Sequence, residues 1–577
     1  MTEPFAPLLQ ALAAMAPREI GRRLDALLEA DVETRPSFSA SWVTPAVPAG
    51  AERVAAYVVD DCPVTLYNVP DRTESLYQVS PPEYEMITAH IHLVEEARKE
   101  LLANPPDHAA GMGAVEAREY VLRAGEKVIA RLAMSESVPL GVHREDQLAL
   151  LRRLSSILAR YTVGLGLTEV LLQDPHVLDV FADAPVGTSP VYLNLGDVPG
   201  AHGRCVTNIY LTGADADALL ARLLFESGRP FSESRPVLEA NLSEHRVRAT
   251  AIGPSLSPDG LAFALRRHSP EPWTLARLIA RGSLTPLAAG LLSLLVDGRS
   301  TILVAGSRGA GKSSLLGALL LEFPRSQRVL AIEDTQELPV RDLQGLGYKV
   351  QSLFVQSALG GSEMTADEAL RVSLRLGESA LVLGEVRGQE ARTLYEAMRA
   401  GTAGSAVLGT IHGNSSMAVY ERIVHDLGIP AMSFQATDIV VVAGLARPGG
   451  SQRTSRRVLE VTELAKSQGT GRFEPLLRYD GAKDALLDTP ALRERSERLE
   501  EIARTWGMPY RDLLENVRAR AECKRLQVEA ARERPEILGA AWTARCNARY
   551  WALIEDKIGG VALVDAWRDW LEAARRG

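Results

Sequence analysis

The sequence predicts an α/β fold, with a mostly parallel sheet in its second half, a mixed α/β region before it and helical segments towards both ends. Between residues 286 and 465, short apolar runs alternate with amphipathic helical patterns, as in βαβ units. Within this stretch, residues 301–320 (TILVAGSRGAGKSSLLGALL) pass from an apolar β-branched run through a glycine-rich turn into a helix with an apolar face. This combination is the best-defined element of the chain.

The glycine-rich turn matches the pattern G-x-x-x-x-G-K-[ST] of a phosphate-binding loop, or P-loop. Glycines there let the backbone curl so that successive N–H groups face phosphate oxygens, and the following helix adds its positive N-terminal end. The lysine can reach the β- and γ-phosphates, and the hydroxyl after it suits a Mg²⁺ ligand. We therefore predict that a nucleoside triphosphate is bound by Gly306, Ser307, Arg308, Gly309, Ala310, Gly311, Lys312, Ser313 and Ser314.

Composition and charge argue against several classes of protein. With 577 residues, 46% hydrophobic and 24% charged, the chain is expected to fold into about three or four globular domains. Its net charge of -9 gives no indication of nucleic acid as a direct partner. The four cysteines lie far apart, which argues against a disulfide scaffold or a zinc knuckle. Because no transmembrane segment or secretory signal is recognisable, we expect a cytoplasmic protein.

The first half of the chain is predicted to contain three parts. Residues 1–75 carry short amphipathic patterns separated by prolines, which predicts an N-terminal helical arm, with a partner-docking module as the alternative. Residues 76–265 predict a mixed α/β domain with leading helices. Residues 266–285 are largely polar and contain two prolines, so we expect an interdomain linker there.

The second half is predicted to contain the P-loop domain and a helical extension. Residues 286–470 form the domain, with strands expected at 301–305, 328–332, 380–384, 405–410, 438–443 and 457–461. The last two strands are expected to pair as an antiparallel hairpin at the edge of the sheet. Residues 471–577 predict a C-terminal helical extension with five of the seven tryptophans. It is interpreted as a small helical domain or, alternatively, as a docking surface for a partner.

Polar side chains follow three further strands of the predicted sheet. Glu333 and Asp334 follow one strand, Glu385 and Arg387 the next, and His412 a third. Ligands of an open α/β sheet sit beyond the carboxyl ends of its strands, so these groups are expected beside the P-loop. Hydrolysis needs an aligned water, a metal ion and cations near the developing charge. The candidate catalytic residues are Glu333, Glu385, His412 and Arg387, and the candidate Mg²⁺ ligands, directly or through water, are Ser313 and Glu385.

Four segments in this order resemble the motifs of one superfamily. The P-loop, IEDTQELPV (332–340), ALVLGEVRGQEA (380–391) and LGTIHGNSS (408–416) resemble the Walker A, Asp box, Walker B and His box of the type II/IV secretion ATPases. The IEDT sequence and the stretch LYQVSPPEY (76–84) are most similar to the archaeal-type branch, the motors of archaella and archaeal type IV pili.

The resemblance implies a RecA-like ATPase domain joined by a mobile linker to an N-terminal domain, with ATP and Mg²⁺ bound between them in a homo-hexameric ring. It further implies that arginines of the N-terminal domain or of a neighbouring subunit complete the site. The matching candidates here are Arg246, Arg248, Arg266 and Arg267. A cation that arrives only on domain closure would stabilise the transition state in the closed form.

The function implied is a motor that drives assembly of a pilus- or archaellum-like filament through a membrane platform protein, from the inner face of the cell membrane. A conjugation or type IV secretion ATPase, and a nucleotide-gated scaffold with little turnover, are the alternatives. Some residues depart from the family pattern. The tetracysteine zinc motif of bacterial members is absent, Arg308 replaces a small or polar residue, and Glu385 stands where a Walker B aspartate is usual.

Overall fold

In the computed structural model the described residues are 35–106, 108, 111–196, 198, 200–201, 203–242, 245–267, 271–334, 336–355, 365–377, 379–399, 406–450, 454–466 and 471–576. The chain divides into two compact units between Pro270 and Glu271. We call residues 1–270 the N-terminal unit and residues 271–577 the C-terminal unit. Each unit contains a large sheet with helices packed on it, which confirms the predicted α/β fold class.

The N-terminal unit is built on a mixed sheet. Its strands are β1 (Trp42–Val43), β2 (Glu52–Val59), β3 (Cys62–Asn68), β4 (Ser75–Val79), β5 (Val177–Ala182), β6 (Tyr192–Leu195), β7 (Arg204–Thr207), β8 (Ile209–Tyr210), β9 (Val237–Leu242), β10 (Val247–Ile252) and β11 (Ala262–Arg267). The order in the large sheet is β2-β3-β4-β7-β6-β5-β11-β10-β9, in which only β4 and β7 are paired in parallel among the described strands. Strands β1 and β8 form a separate antiparallel pair.

The helices of this unit form a bundle and a sheet-covering layer. They are α1 (Thr88–Ala103), α2 (Ala114–Ser135), α3 (Arg144–Thr162), α4 (Leu167–Gln173) and α5 (Gly213–Ser227), with a 3₁₀ turn at Pro82–Tyr84. Helices α1 to α3 enclose an apolar core of their own, whereas α4 and α5 contribute to the core of the sheet. Arg160 of α3 pairs with the buried Glu83 at 3.0 Å, which ties the bundle to the chain that leaves β4.

The predicted helical arm over residues 1–75 is wrong for its second half. Residues 1–34 lie outside the described residues, but residues 42–79 form β1 to β4. In β3, Cys62, Val64 and Leu66 are buried while the residues between them are more exposed, which is the alternation of a half-buried strand. The amphipathic patterns that led to the prediction lie before residue 34, outside the described residues, and the prediction was extended from them over a segment that carries the alternation of strands.

The C-terminal unit contains a sheet whose first six strands are parallel. Its strands are β12 (Thr301–Gly306), β13 (Arg328–Glu333), β14 (Lys349–Phe354), β15 (Ala380–Leu383), β16 (Val407–Ile411), β17 (Ile439–Ala446), β18 (Ser455–Ala465), β19 (Arg472–Asp480) and β20 (Ala485–Asp488). The order is β14-β13-β15-β16-β12-β17-β18-β19-β20, antiparallel from β17 onwards. This is the predicted RecA-like sheet, but the β17–β18 hairpin is not at its edge because β19 and β20 extend it.

Helices cover this sheet and continue to the end of the described chain. They are α6 (Leu275–Ala280), α7 (Pro286–Asp297), α8 (Lys312–Leu320), α9 (Val340–Gly345), α10 (Ala366–Ser373), α11 (Glu390–Arg399), α12 (Ser416–Glu421), α13 (Ala431–Phe434), α14 (Pro490–Glu494), α15 (Glu497–Trp506), α16 (Tyr510–Ala530), α17 (Ala540–Glu555) and α18 (Gly560–Arg576). A π-helical turn covers Arg422–Asp426 and a 3₁₀ turn covers Pro535–Leu538. The predicted linker over 266–285 is therefore too long, since α6 is capped by Thr274 and its Leu275 is fully buried.

The first of the C-terminal helices pack directly on the P-loop domain, whereas the second half of α16 encloses a further apolar core with α17 and α18. Leu499, Leu513 and Val517 belong to the same apolar core as the residues of α7 and β12. A Cβ atom on Gly290 of α7 would lie 2.5 Å from the carbonyl oxygen of Val517, so α16 and α7 are in backbone contact. The predicted helical extension thus begins later than residue 471, and its first half completes the core of the P-loop domain.

Within the described residues, no helix combines the length and the apolar character needed to cross a membrane. The four cysteines are buried and unbonded.

Candidate functional site

The P-loop leaves the sheet at the end of β12 and returns as the first turn of α8. A Cβ atom on Gly306 would lie 2.4 Å from the carbonyl oxygen of Ala443 on β17, so only glycine fits where the chain leaves the strand. Gly311 has a φ of +94° and directly precedes α8, which is a backbone conformation that glycine adopts without strain. Gly306 and Gly311 therefore allow the tight turn from which the first N–H groups of α8 point towards the phosphate site.

The two polar side chains at the start of α8 have partners within the C-terminal unit. The Nζ of Lys312 donates to the carbonyl oxygens of Gly306 at 3.0 Å and Ser307 at 3.1 Å. The hydroxyl of Ser313 donates to a carboxylate oxygen of Glu337. The side chain of Lys312 thus folds back over the turn in which a phosphate group would bind.

Glu333 ends β13 with its carboxyl group buried at 2% exposure. Its Oε1 accepts hydrogen bonds from the N–H groups of Glu337 at 2.9 Å and Leu338 at 2.8 Å. Its Oε2 has no hydrogen-bond partner among the described residues. Burial raises the pKa of Glu333 to about 8, and the two N–H donors offset only part of that effect. A carboxyl group with a pKa near the working pH is suited to accept a proton.

Glu385 follows β15 and joins two other predicted site residues. The Nε2 of His412 lies 2.9 Å from Glu385 Oε1, without the geometry of a hydrogen bond. The other oxygen of Glu385 accepts from Nε of Arg387 at 2.6 Å. The Nη1 of Arg387 also donates to Asp334 at 2.7 Å, which connects the segments that follow β15 and β13.

The charged neighbours of His412 include Glu385 and the P-loop lysine, Lys312. Burial lowers the pKa of His412 below its usual value, the cation of Lys312 lowers it further, and the charge of Glu385 opposes both effects. The imidazole is therefore neutral at pH 7 and can donate one hydrogen bond and accept another. The structure thus brings Lys312, Glu333, Glu385 and His412 to the carboxyl ends of four neighbouring strands, β12, β13, β15 and β16.

The four arginine candidates lie on β10 and β11 of the N-terminal unit or in the turn before them. Arg248 pairs with Glu239 at 3.0 Å, and Arg266 lies opposite it on the next strand and is exposed. Arg267 donates to the backbone carbonyl oxygen of Asp174, and burial lowers its pKa. Arg246 precedes β10 with a φ of +53°. Arg267 and Arg248 therefore have partners inside their own unit, whereas Arg266 presents its side chain to solvent.

Two side chains beside the P-loop were not predicted as site residues. Glu337, within the Asp-box segment, accepts a hydrogen bond from the hydroxyl of Ser313, and Arg456 of β18 donates from Nε to the carbonyl oxygen of Gly309 at 2.8 Å. The sequence signal for Glu337 is its position four residues after Glu333 in a segment already recognised. Arg456 lies almost 150 residues from the P-loop in sequence, and only the pairing of β17 with β12 brings it there.

Comparison with known proteins identifies the family. The model of the family described as Type II/IV secretion system protein matches residues 219–483. A Mycobacterium tuberculosis protein whose name provisionally assigns it to conjugal transfer is 30% identical over 325 residues, 54% of this chain and 88% of that protein. The chain belongs to the type II/IV secretion system protein family. The Walker A, Asp box, Walker B and His box named above all lie inside the matched range.

The relatives within this family include archaeal proteins. An uncharacterised protein of Methanocaldococcus jannaschii is 29% identical over 249 residues, 42% of this chain and 88% of that protein, which supports the resemblance to archaeal members. Among solved structures, the VirB11 ATPase of the Brucella suis type IV secretion system, in complex with sulphate, is 25% identical. The match covers 51% of this chain and 92% of the VirB11 chain, with a TM-score of 0.26.

Proposed function

We propose that the chain is a Mg²⁺-dependent ATPase and that the carboxyl edge of β12, β13, β15 and β16, here called the phosphate edge, is its active site. The observation that carries the proposal is the gathering of Lys312, Glu333, Glu385 and His412 at that edge, next to a complete P-loop. A phosphate-binding loop with its lysine and a carboxyl group that can orient the attacking water are among the groups that act in hydrolysis of a terminal phosphate.

Each residue has a role that follows from its position. Lys312 and the N–H groups of residues 309–314 bind the phosphate chain. Glu333, with one carboxylate oxygen held by two N–H groups and the other unpartnered among the described residues, orients the attacking water and takes its proton. His412 hydrogen-bonds the terminal phosphate. Arg387 holds Glu385 in place through the hydrogen bond between them.

The oxygen donors at the phosphate edge fit Mg²⁺. Ser313 and Glu337 are already hydrogen-bonded to each other, and Glu385 Oε1 has no hydrogen-bond partner among the described residues. Mg²⁺ prefers a few protein oxygens together with phosphate oxygens and waters, and a hydroxyl with one or two carboxylates supplies that set. We propose Ser313 and Glu385 as its ligands, directly or through water. When bound, the ion neutralises charge on the β- and γ-phosphates.

Substitution of Lys312 tests the ATPase proposal. Lys312→Ala should abolish measurable ATP turnover because it removes the cation that contacts the β- and γ-phosphates. Lys349→Ala, which removes an exposed lysine on the edge strand β14, is the matched control and should retain wild-type turnover. Turnover that survives in Lys312→Ala would disprove the site assignment. Wild-type protein that binds ATP without hydrolysing it would instead favour the nucleotide-gated scaffold.

We further propose that the chain acts as a homo-hexamer and drives assembly of a pilus- or archaellum-like filament through a membrane platform protein. Membership of the type II/IV secretion family and the archaeal relative support this function. The protein would then work in the cytoplasm, on the inner face of the membrane. Native mass spectrometry with ATP should give six chains, and Lys312→Ala should prevent filament formation in cells that carry the wild-type partners.

A conjugation or type IV secretion ATPase is the second candidate, which the name of the Mycobacterium tuberculosis relative favours. Stimulation of ATP turnover separates the two. A cytoplasmic loop of the platform protein should stimulate a filament motor, whereas nucleic acid should not. Strong stimulation by nucleic acid alone would favour transfer of DNA over filament assembly.

The arginine candidates make a separate proposal for the N-terminal unit. If Arg266 supplies a cation to the reacting phosphate, Arg266→Ala should lower turnover without lowering ATP affinity by the same factor. The same changes at Arg246, Arg248 and Arg267 test whether they contribute. Arg267→Ala is expected to destabilise the protein because the side chain bonds the backbone of Asp174.

A further inference from the structure

Arg456 lies at the phosphate edge although it comes from an antiparallel strand. It is the second residue of β18 and pairs with Leu445, near the end of β17. Strand β17 is parallel to β12, and its Ala443 lies beside Gly306, where the P-loop begins. The carboxyl end of β17 and the first residues of β18 therefore meet at the same edge of the sheet as the P-loop.

The side chain of Arg456 packs along the P-loop. Its Nε donates to the carbonyl oxygen of Gly309 at 2.8 Å. Its Cδ lies 3.7 Å from the position that a Cβ atom on Gly311 would take, so the methylene stem passes beside the turn at Gly311. A guanidinium group that is fixed through Nε still has two terminal nitrogens with their donors available.

In the part of the chain that the structure describes, no carboxylate pairs with Arg456. Among the described residues, its Nη1 and Nη2 have no hydrogen-bond or ion-pair partner, and the residue is exposed. Its neighbour Arg457 differs, because Nε and Nη2 of Arg457 bond both oxygens of Asp484 at 2.8 and 2.7 Å. Arg387, a further arginine of the phosphate edge, is likewise paired with two acids. Arg456 is thus an oriented arginine at the P-loop whose terminal donors are open.

We propose that Arg456 binds the phosphate chain of the nucleotide held by the P-loop. This inference rests on the proposed ATPase function, and it adds a second cation to Lys312 from within the same unit. Two parallel N–H donors match two oxygens of a phosphate group, which is why arginine is frequent at phosphate sites. The hydrogen bond to Gly309 sets the direction of the fork before the nucleotide arrives, so little side-chain freedom is lost on binding.

The test compares Arg456→Ala and Arg456→Lys with wild type in calorimetric binding of ADP and of a slowly hydrolysed ATP analogue, and in displacement of a fluorescent nucleotide by inorganic pyrophosphate. Arg456→Ala should weaken binding of all three ligands by at least about tenfold, because one charge-assisted hydrogen bond is worth that much and the fork supplies up to two. Arg456→Lys should recover part of the loss because it keeps the charge but not the fork. Arg478→Ala, an exposed arginine on β19, is the matched control and should bind as wild type.

Several outcomes would overturn the inference. If Arg456→Ala binds all three ligands as wild type does, the arginine contacts only the loop. If ADP binding weakens but pyrophosphate binding does not, the contact is to the base or sugar. A fall in melting temperature like that expected for Arg457→Ala, which breaks the pair with Asp484, would assign Arg456 a structural role; Arg456→Gln then repeats the binding test. If wild-type protein binds no nucleotide at all, the proposed function fails, which is a different result.

Discussion

The two ends of helix α8 carry polar groups of opposite character. At its N-terminal end, the phosphate edge contains Glu333 Oε2, which has no hydrogen-bond partner among the described residues, and Glu385 Oε1, which lies 2.9 Å from His412 Nε2 without a hydrogen bond. Just past its C-terminal end, Glu322 pairs with the buried Lys524 of α16 at 2.6 Å, and Lys524 also donates to Asn547 at 2.9 Å. The side chain of Asn547 in turn donates to the carbonyl oxygen of Leu321.

The difference indicates that the groups at the N-terminal end of α8 form a binding site, whereas those past its C-terminal end stabilise the fold. The groups past the C-terminal end are hydrogen-bonded to one another and to the backbone of Leu321. Removing either partner of the buried ion pair would leave an uncompensated charge, so these contacts hold the end of α8 in place. The groups at the N-terminal end keep unused hydrogen-bonding capacity in a buried setting, which a folded protein retains mainly where a ligand will use it. We therefore infer that α16 and α17 hold α8, and with it the P-loop, in position through their contacts with α7 and the end of α8, and we call them the fixed backing of the P-loop.

The largest expected effect tests the N-terminal end. Glu333→Gln should lower ATP turnover by about 10²- to 10⁴-fold, the contribution typical of a general base, because the amide can no longer take a proton. The variant should remain folded, since the amide oxygen can accept the same two N–H groups. Glu463→Gln is the matched control, a buried carboxyl group with a raised pKa at the opposite end of β17 and β18. Equal loss of turnover in Glu333→Gln and Glu463→Gln would show that Glu333 has no special role at the phosphate edge.

The next effect tests the C-terminal end. Lys524→Ala should lower the free energy of unfolding by about 3–5 kcal/mol, because Glu322 is left charged and buried. Urea unfolding followed by tryptophan fluorescence measures it, since five of the seven tryptophans lie in residues 471–577. The double variant Glu322→Leu with Lys524→Met removes both charges and should recover most of the loss. At low temperature, folded Lys524→Ala should turn over ATP as wild type does; loss of turnover at unchanged stability would refute a purely supporting role.

The same two ends show what the sequence could and could not predict. Glu333, Glu385 and His412 were predicted to lie near the P-loop because each directly follows an apolar strand, and parallel strands end at one edge. The roles of these residues stay predictions. Glu337 and Arg456 were not predicted because their positions depend on a loop conformation and on pairing between distant strands. No local sequence pattern indicates that Glu337 or Arg456 lies beside the P-loop.

The fold shows the same limit. The parallel strands were predicted because they are buried on both faces, as in β12, where five of six residues are buried. Strand β14 was missed because only Val350 is buried in it, so its apolar signal is weak. The helices after residue 490 were predicted as helices, but an amphipathic pattern reports an apolar face without saying what covers it. Their contact with α7 therefore could not be derived.

A pH dependence of stability sharpens the contrast further. The pKa of Glu333 is raised by burial from 4.5 to about 8 in the folded protein, so the folded state holds this proton more tightly than the unfolded state. The contribution of Glu333 to the free energy of unfolding should therefore fall as pH rises between these values, by about 1 kcal/mol per pH unit. Urea unfolding at pH 5.5, 6.5 and 7.5, expressed as the difference between wild type and Glu333→Gln, isolates it. A difference that does not change with pH would contradict the raised pKa that burial gives this carboxyl group.

The smallest effect tests the backing itself, at the contact between α7 and α16. Gly290→Ala should lower the free energy of unfolding by about 1–3 kcal/mol, because the added Cβ meets backbone atoms of Val517 and Ala521 that cannot rotate away. Gly345→Ala is the matched control, because a Cβ there meets nothing within 4 Å, and it should be neutral or stabilising by about 0.5 kcal/mol. Thermal unfolding followed by circular dichroism compares the two. If both variants melt at the same temperature, α16 does not press on α7, and the C-terminal helices cannot be the fixed backing of the P-loop.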